Sequence, residues 1–255
     1  MQRFLVLLYG VIAYAAFFGT FCYAIFFVQN MLVPKSIDSG EAGSVLTAVL
    51  INVPLMALFA IQHMIMARPW FKQWITKFIP AAIERSTFVL AASLILILLF
   101  WQWRPIPGVV WSVEQPVLRA LIFAISFAGF GIVLFSSFLI DHFDLFGLRQ
   151  VWLSFQGKPY AHKPFVERSF YKYVRHPLMV GFLVAFWAAP TMTYGHLLFA
   201  AVITGYVIVG VIVEERDLVH FLGEDYLEYR KRTPKFIPRF SRRAKADMQT
   251  LTPQT

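Results

Sequence analysis

The 255 residues are 58% hydrophobic and only 15% charged, with a mean hydropathy of +0.63. A soluble domain carries about 25% charged residues, so this composition excludes a soluble globular protein and specifies one embedded in a bilayer. The formal charge of +9 does not call for nucleic acid, because membrane proteins gather Lys and Arg in their cytoplasmic loops. The single cysteine, Cys22, excludes an internal disulfide and a cysteine-based metal cluster.

The first apolar run, Phe4–Val28, exceeds the ~20 residues a helix needs to span a bilayer. It opens like a secretory signal, with Arg3, an apolar core and Ala13-Tyr14-Ala15. The apolar pattern then continues through Phe17, Phe18 and Phe21, which predicts an uncleaved spanning helix. After a turn-rich loop, Pro34–Gly43, a second span is expected over Ser44–Ala67, carrying Asn52, Pro54, Gln62 and His63. The basic aromatic segment Arg68-Pro69-Trp70-Phe71-Lys72-Gln73-Trp74 suits the interface, where indole rings and snorkelling cations sit. A third span over Ser86–Trp103 stops at Pro105 and Pro107. A fourth, over Val117–Ile140, carries Gly129 and Gly131, two places for close helix approach. Beyond the polar segment 141–177, the short apolar runs Leu178–Pro190 and His196–Val213 read as a tight helical hairpin around Thr191–Gly195. The tail from Glu214 is amphipathic and basic, and 241–255 is expected to be disordered.

All Lys and Arg except Lys35, Arg104 and Arg119 fall on one side of this arrangement, so the positive-inside rule puts both termini in the cytoplasm. The expected architecture is an all-α polytopic membrane protein of five to six transmembrane helices, six if the last hairpin crosses twice and five if one arm is re-entrant. Residues 1–140 form a four-helix scaffold, and 141–240 form a region of loop, hairpin and basic tail. No internal repeat of the kind common in transporters is visible.

The chemistry concentrates at Tyr171-Lys172-Tyr173-Val174-Arg175-His176-Pro177 and at Glu214-Glu215. Taken separately, the first is a snorkelling interfacial segment with proline at a first helical turn, and the second a solvated helix end. A helix ending near Val213, however, turns both carboxylates toward the negative end of its dipole, which costs a few tenths of a kcal/mol each and asks for a cationic partner, either Arg175 or a ligand. An antiparallel hairpin brings the two clusters to one rim. A guanidinium, an imidazole, two carboxylates and phenol rings there suit an amphiphilic cation bearing a ribose, an amino-acid moiety and an aromatic base.

Arg-His-Pro, a hydrophobic hairpin, Glu-Glu, then Phe221-Leu222-Gly223-Glu224-Asp225-Tyr226-Leu227-Glu228-Tyr229 and a proline-containing exit resemble the isoprenylcysteine carboxyl methyltransferase superfamily of integral membrane methyltransferases. Met66–Lys72, Glu84-Arg85-Ser86-Thr87, Trp101–Pro105 and Phe146-Gly147-Leu148-Arg149-Gln150 are similar to the bacterial methanethiol S-methyltransferase group. The resemblance covers about residues 1–240. It implies S-adenosylmethionine as methyl donor, held by His176, Pro177, Glu214 and Glu215 with Tyr173 and Arg175 beside them, and a small thiol as acceptor. One departure is Met179, where the superfamily usually has tyrosine two positions after the proline.

The thiolate is the nucleophile in such a transfer, and Arg149, Asp144 and His63 are the candidates for binding or deprotonating the thiol. Each has a plainer reading, as a loop cation, a loop cap and an interhelical histidine. His142, His162, His196 and His220 show no metal-ligand spacing, and no metal is expected. Two other readings stay open. The acceptor could instead be an isoprenylcysteine carboxylate or phospholipid amine, which needs a lateral opening between helices. The chain could also be a non-catalytic protein, like the denitrification-linked membrane proteins of the superfamily, or a small transporter.

Overall fold

The computed structural model describes residues 1–41, 43–161, 167 and 169–238; His162 and the tail 241–255 lie outside them. Five helices are long and apolar enough to cross a membrane: α1 Gln2–Gln29, α2 Val45–Met66, α4 Ala81–Gln102, α5 Pro116–Ile140 and α9 Tyr194–Leu222. The short α3 Pro69–Ile75, α6 His142–Leu145, α7 Leu148–Gln156 and α10 Glu224–Arg232 lie at one rim. The apolar α8 Pro177–Trp187 completes the helices, and the polytopic helical expectation holds.

At 1.5 Å per residue α8 rises only about 16 Å, half a hydrocarbon core. The chain on either side of it nevertheless reaches both ends of α9. His176, its N-cap, meets Glu215 of α9, whereas Thr191–Thr193 beyond its end leads into the start of α9. Those two points on α9 are about 30 Å apart. A short helix plus an extended segment therefore traverses the same depth as a long one, so Arg3 and α10 share a rim.

The far rim holds an element that the sequence pattern did not show. Val109–Ser112 (β1) and Thr191–Thr193 (β2) pair antiparallel, with Val109 opposite Thr193 and Ser112 opposite Thr191. Both stretches follow proline-bearing turns and read as loops. Pairing them satisfies backbone groups that a bilayer would leave without water.

The core lies toward this far rim, where Phe27, Phe100, Trp103, Phe130, Phe186 and Phe199 form one cluster. Trp103, fully buried, meets Phe27 and Phe199 edge-on and donates its indole N–H to the Ile37 carbonyl at 2.9 Å. In lipid, burial gains little from water release, so packing and interhelical hydrogen bonds hold the helices together. Asn52 supplies one such bond pair, donating to the Arg104 carbonyl at 2.7 Å and accepting from its N–H at 2.9 Å. Ser126 donates to the Ala185 carbonyl at 2.7 Å.

The helix pair α5 and α8 packs backbone to backbone. A Cβ on Gly129 would lie 2.7 Å from both the Ala185 nitrogen and the Gly181 oxygen, whereas one on Gly131 meets nothing. Of the two glycines expected to admit a neighbouring helix, only Gly129 does so. Gly129→Ala should therefore destabilise the fold by about 1–3 kcal/mol, with Gly131→Ala close to wild type. Unfolding in detergent checks this, and equal stability of the two variants would refute the close packing.

Candidate active site

The apolar run that ends at Val213 is not where its helix ends. α9 continues to Leu222, so Glu214 and Glu215 stand two turns inside it and the expected clash with the helix dipole does not arise. The reason is local neutralisation. Glu215, whose side chain is 4% exposed, accepts from Arg175 Nε at 2.8 Å and contacts His176 Nε2 at 3.0 Å, with Lys235 Nζ 3.5 Å from its second oxygen. A carboxylate so deeply placed needs this compensation, since an unpaired buried charge is costly.

The partners of Glu215 are themselves held in place. Arg175 donates through its guanidinium to the carbonyls of Thr233 and, at 3.3 Å, Arg230. The backbone N–H groups of Arg175 and His176 donate to the carbonyls of Pro234 and Lys235 at 2.9 and 3.2 Å. The Tyr229 hydroxyl donates to the Tyr171 carbonyl at 2.6 Å. The chain beyond α10 thus folds back over the entrance of α8, and Glu215 ties the three segments together. Pro177 occupies the first turn of α8 and is buried, whereas Tyr173 is 64% exposed on the outside of the rim.

Glu214 differs from its neighbour. Its side chain remains 46% accessible, with His176 Nδ1 3.7 Å away, although Arg68, Arg85 and Glu215 also act on it. The half-accessible carboxylate therefore lies within electrostatic reach of His176, Arg68, Arg85 and Glu215 while keeping surface open to a ligand. Burial, and after it the Glu214 carboxylate, pushes the Tyr171 phenol above its ordinary range, which keeps it an O–H donor at neutral pH.

Asp144 and Arg149 pair with each other at 3.0 Å. Asp144 also accepts from the Tyr160 hydroxyl at 3.1 Å, and Arg149 donates to the Ala161 carbonyl at 3.1 Å. Burial and then Asp144 raise the Tyr160 phenol, which preserves that donor. Arg85 joins this pair to the carboxylate rim. Its Nε donates to the Leu145 carbonyl at 2.7 Å, and both Asp144 and Glu214 lie within its electrostatic reach. Gly147, at φ +90°, lets the α6–α7 turn lie on Ser86, where a Cβ would be 2.6 Å from the serine hydroxyl. The sequence segments around 84–87 and 146–150 are therefore one packed unit.

Arg68 pairs with Asp217 of α9 at 2.6 Å, bringing the segment around 66–72 to the same place. His63 stands one turn farther into the membrane on α2, among Phe59, Phe88 and Tyr206. Arg68, Arg85 and Tyr206 were not singled out as site residues in the sequence. They are far apart along the chain and resemble interfacial cations and core aromatics, and only helix packing brings them together. The recess thus draws on residues from both sides of position 141. Among the described residues, no three His, Cys, Asp or Glu side chains gather as metal ligands. Two other recesses lie away from the carboxylates: one of about 290 Å³ at the far rim near Asp38, Arg119 and His196, and one of about 500 Å³ between α1 and α4.

Fold and site together define a polytopic helical membrane protein with a carboxylate recess at its basic rim. Residues 51–243 match the family model described as NnrU protein, and the chain belongs to that family. It is 53% identical over 236 residues to "Methanethiol S-methyltransferase 1" of Bradyrhizobium diazoefficiens, covering 92% of this chain and 83% of that protein. To "Methanethiol S-methyltransferase 2" of the same organism it is 50% identical over 252 residues, covering 98% and 97%. To "Methanethiol S-methyltransferase" of Mycobacterium tuberculosis it is 49% identical over 238 residues, covering 93% and 98%. No solved structure matches.

The two adjacent carboxylates should respond differently to neutralisation. Glu215→Gln leaves Arg175 buried without its counter-ion and should cost on the order of 3 kcal/mol, whereas Glu214→Gln should leave thermal unfolding in detergent near wild type. Equal loss in both variants would overturn the division between a structural and an accessible carboxylate.

Proposed function

We propose that this protein transfers a methyl group from S-adenosylmethionine to methanethiol, producing dimethyl sulfide, with the donor held at the Glu214 recess. The accessible Glu214 carboxylate within a ring of cations carries this reading, and the names of relatives that are about half identical over nearly the whole chain support it. When bound, the donor supplies a methyl group on a positively charged sulfur, which needs no further activation.

The residues present fit such a ligand. Glu214 accepts from ribose hydroxyls or an α-ammonium, Tyr171 donates through its phenol, and Arg68 faces an α-carboxylate. His176 orients Glu214 from beside it. Arg175 and Glu215 act one step away, holding the entrance of α8 against α9, and Pro177 starts that helix without leaving an N–H unpaired. Tyr173 flanks the entrance from outside. Asp144, Arg149 and Tyr160 form the wall across from it, tied in through Arg85.

The low-dielectric setting favours the chemistry. An anionic nucleophile attacking a sulfonium loses charge at the transition state, so surroundings that solvate the separated ions poorly lower the barrier. Fixed positioning supplies the remainder. We place both termini and the recess at the cytoplasmic face of a bacterial inner membrane. Among the described residues only Lys35, Arg104 and Arg119 carry cationic side chains at the opposite rim, and the cytoplasm is where the nucleoside donor is made.

Calorimetry on detergent-purified protein should detect S-adenosylmethionine binding that falls about tenfold or more in Glu214→Gln, the ~1.4 kcal/mol expected for one charge-assisted hydrogen bond. Gas chromatography should then detect dimethyl sulfide formed from methanethiol by the wild type. Folded wild-type protein that binds no donor would sink the methyltransferase reading and favour a non-catalytic role.

A further inference from the structure

The recess does not end at Glu214. On α9, Tyr206, Gly210 and Glu214 are spaced four apart and so share one face. A Cβ on Gly210 would meet nothing within 4 Å, so no side chain stands on this face of α9 between the carboxylate and the aromatic group deeper in the membrane. That group is a box around one histidine. His63 lies 5.3 Å from the Phe59 ring, 4.7 Å from Phe88 and 6.1 Å from Tyr206, centroid to centroid. The Arg85 guanidinium stands over the other end of the box, 4.7 Å from Phe88.

His63 makes no hydrogen bond among the described residues. Its Nδ1 is enclosed without a partner, whereas Nε2 is neither enclosed nor bonded. A polar ring placed at this depth without a partner is expensive. By contrast Asp144 and Arg149 satisfy each other and their neighbours.

We propose that the box of His63, Phe59, Phe88 and Tyr206 is the acceptor subsite, with His63 Nε2 taking the proton of a small alkyl thiol. This rests on the methyl-transfer reading above and adds where the acceptor sits and which residue handles its proton. Thiols are mostly protonated at neutral pH, with a pKa of about 8.5 for a free cysteine, so an acceptor needs a base. The sulfur lone pair bonds the methyl carbon as the carbon–sulfonium bond breaks, its electron pair returns to the donor sulfur, and the S–H proton passes to Nε2. The resulting imidazolium is stabilised by aromatic faces, and it returns its proton to water through the rim. The charged or titratable groups facing His63 are Arg85 from α4 and Tyr206 from α9, and Glu214 and Arg68 reach the Tyr206 phenol behind it. Arg85 steadies the thiolate during transfer. The aromatic walls admit an apolar thiol of one or two carbons, and a long lipid tail would have to displace them.

Three measurements on the full chain test this. His63→Gln should bind S-adenosylmethionine like the wild type by calorimetry, yet form dimethyl sulfide about 100-fold more slowly, the low end of what a positioned base contributes. The variant's rate should keep rising with pH where the wild-type rate levels off, because hydroxide then replaces the base. Gly210→Phe, which puts a ring on the open face between Glu214 and the box, should block transfer while changing donor binding less than twofold. In wild-type protein labelled with ¹⁵N-histidine, dimethyl sulfide should shift the His63 ring resonances without any donor present, a readout that stands even if a variant misfolds. A wild-type rate and pH profile in His63→Gln, or His63 resonances indifferent to dimethyl sulfide, would overturn the subsite while leaving methyl transfer itself intact. Absence of methyl transfer by the wild type would overturn both.

Discussion

One buried carboxylate holds the basic rim together. Glu215 stands on α9, its partners Arg175 and His176 at the entrance to α8, and Lys235 on the chain that returns after α10. None of these segments has enough apolar surface at that depth to fix its position by packing alone. The anion does so because its alternatives are worse, since an ion left unpaired at this depth costs several kcal/mol. The arrangement is demanding in geometry and therefore specific. Arg175 spends its remaining donors on the carbonyls of Thr233 and Arg230, so the returning chain is set in register and not merely attracted. A rim ordered in this way gives Glu214 a fixed position without tying up its own oxygens.

The two halves of the molecule are held by different forces. Toward the far rim, rings of Phe27, Phe100, Trp103, Phe130, Phe186 and Phe199 interlock, and the short β1–β2 pair closes that end. Toward the basic rim the fold relies on ion pairs and on hydrogen bonds from guanidinium groups to carbonyls: Arg68 to Met64, Arg85 to Leu145, Arg149 to Ala161. Such a division suits a site that must bind a charged, water-borne molecule next to lipid. The rigid aromatic end sets the helix positions, and toward the polar end Gly210 of α9 faces open space.

Much of this could be read from the residues. Spans follow from long apolar runs, and orientation from the placement of the cations, because both depend only on the bilayer. The pairing of Arg175 and His176 with the Glu214-Glu215 step was legible because antiparallel neighbours joined by a short connection must bring those ends together. The inference that both carboxylates sat at a helix end was wrong, because an apolar run marks the membrane boundary and not the end of the helix. α9 continues past Val213 once Glu215 is neutralised. The β1–β2 pair was illegible for a related reason, since four residues and three residues carry too little periodicity to show a strand. Arg68, Arg85 and Tyr206 could not be assigned to the site from local pattern at all, as each has an ordinary interfacial or core explanation until the helices are assembled.

The depth of the histidine decides between a lipid-modifying site and one for a small thiol. A phospholipid or prenyl acceptor presents its reacting group at the interface, level with Glu214, and keeps its chains in the bilayer. His63 lies deeper, packed against Phe59, Phe88 and Tyr206. A headgroup amine or carboxylate brought there would lose its water and find one imidazole in return, at a cost of several kcal/mol. A neutral thiol gives up little hydration and becomes charged only in the step that consumes the charge. The same enclosure that would exclude the polar acceptors thus supplies the low dielectric that methyl transfer to sulfur exploits, so specificity and rate arise from one arrangement of rings.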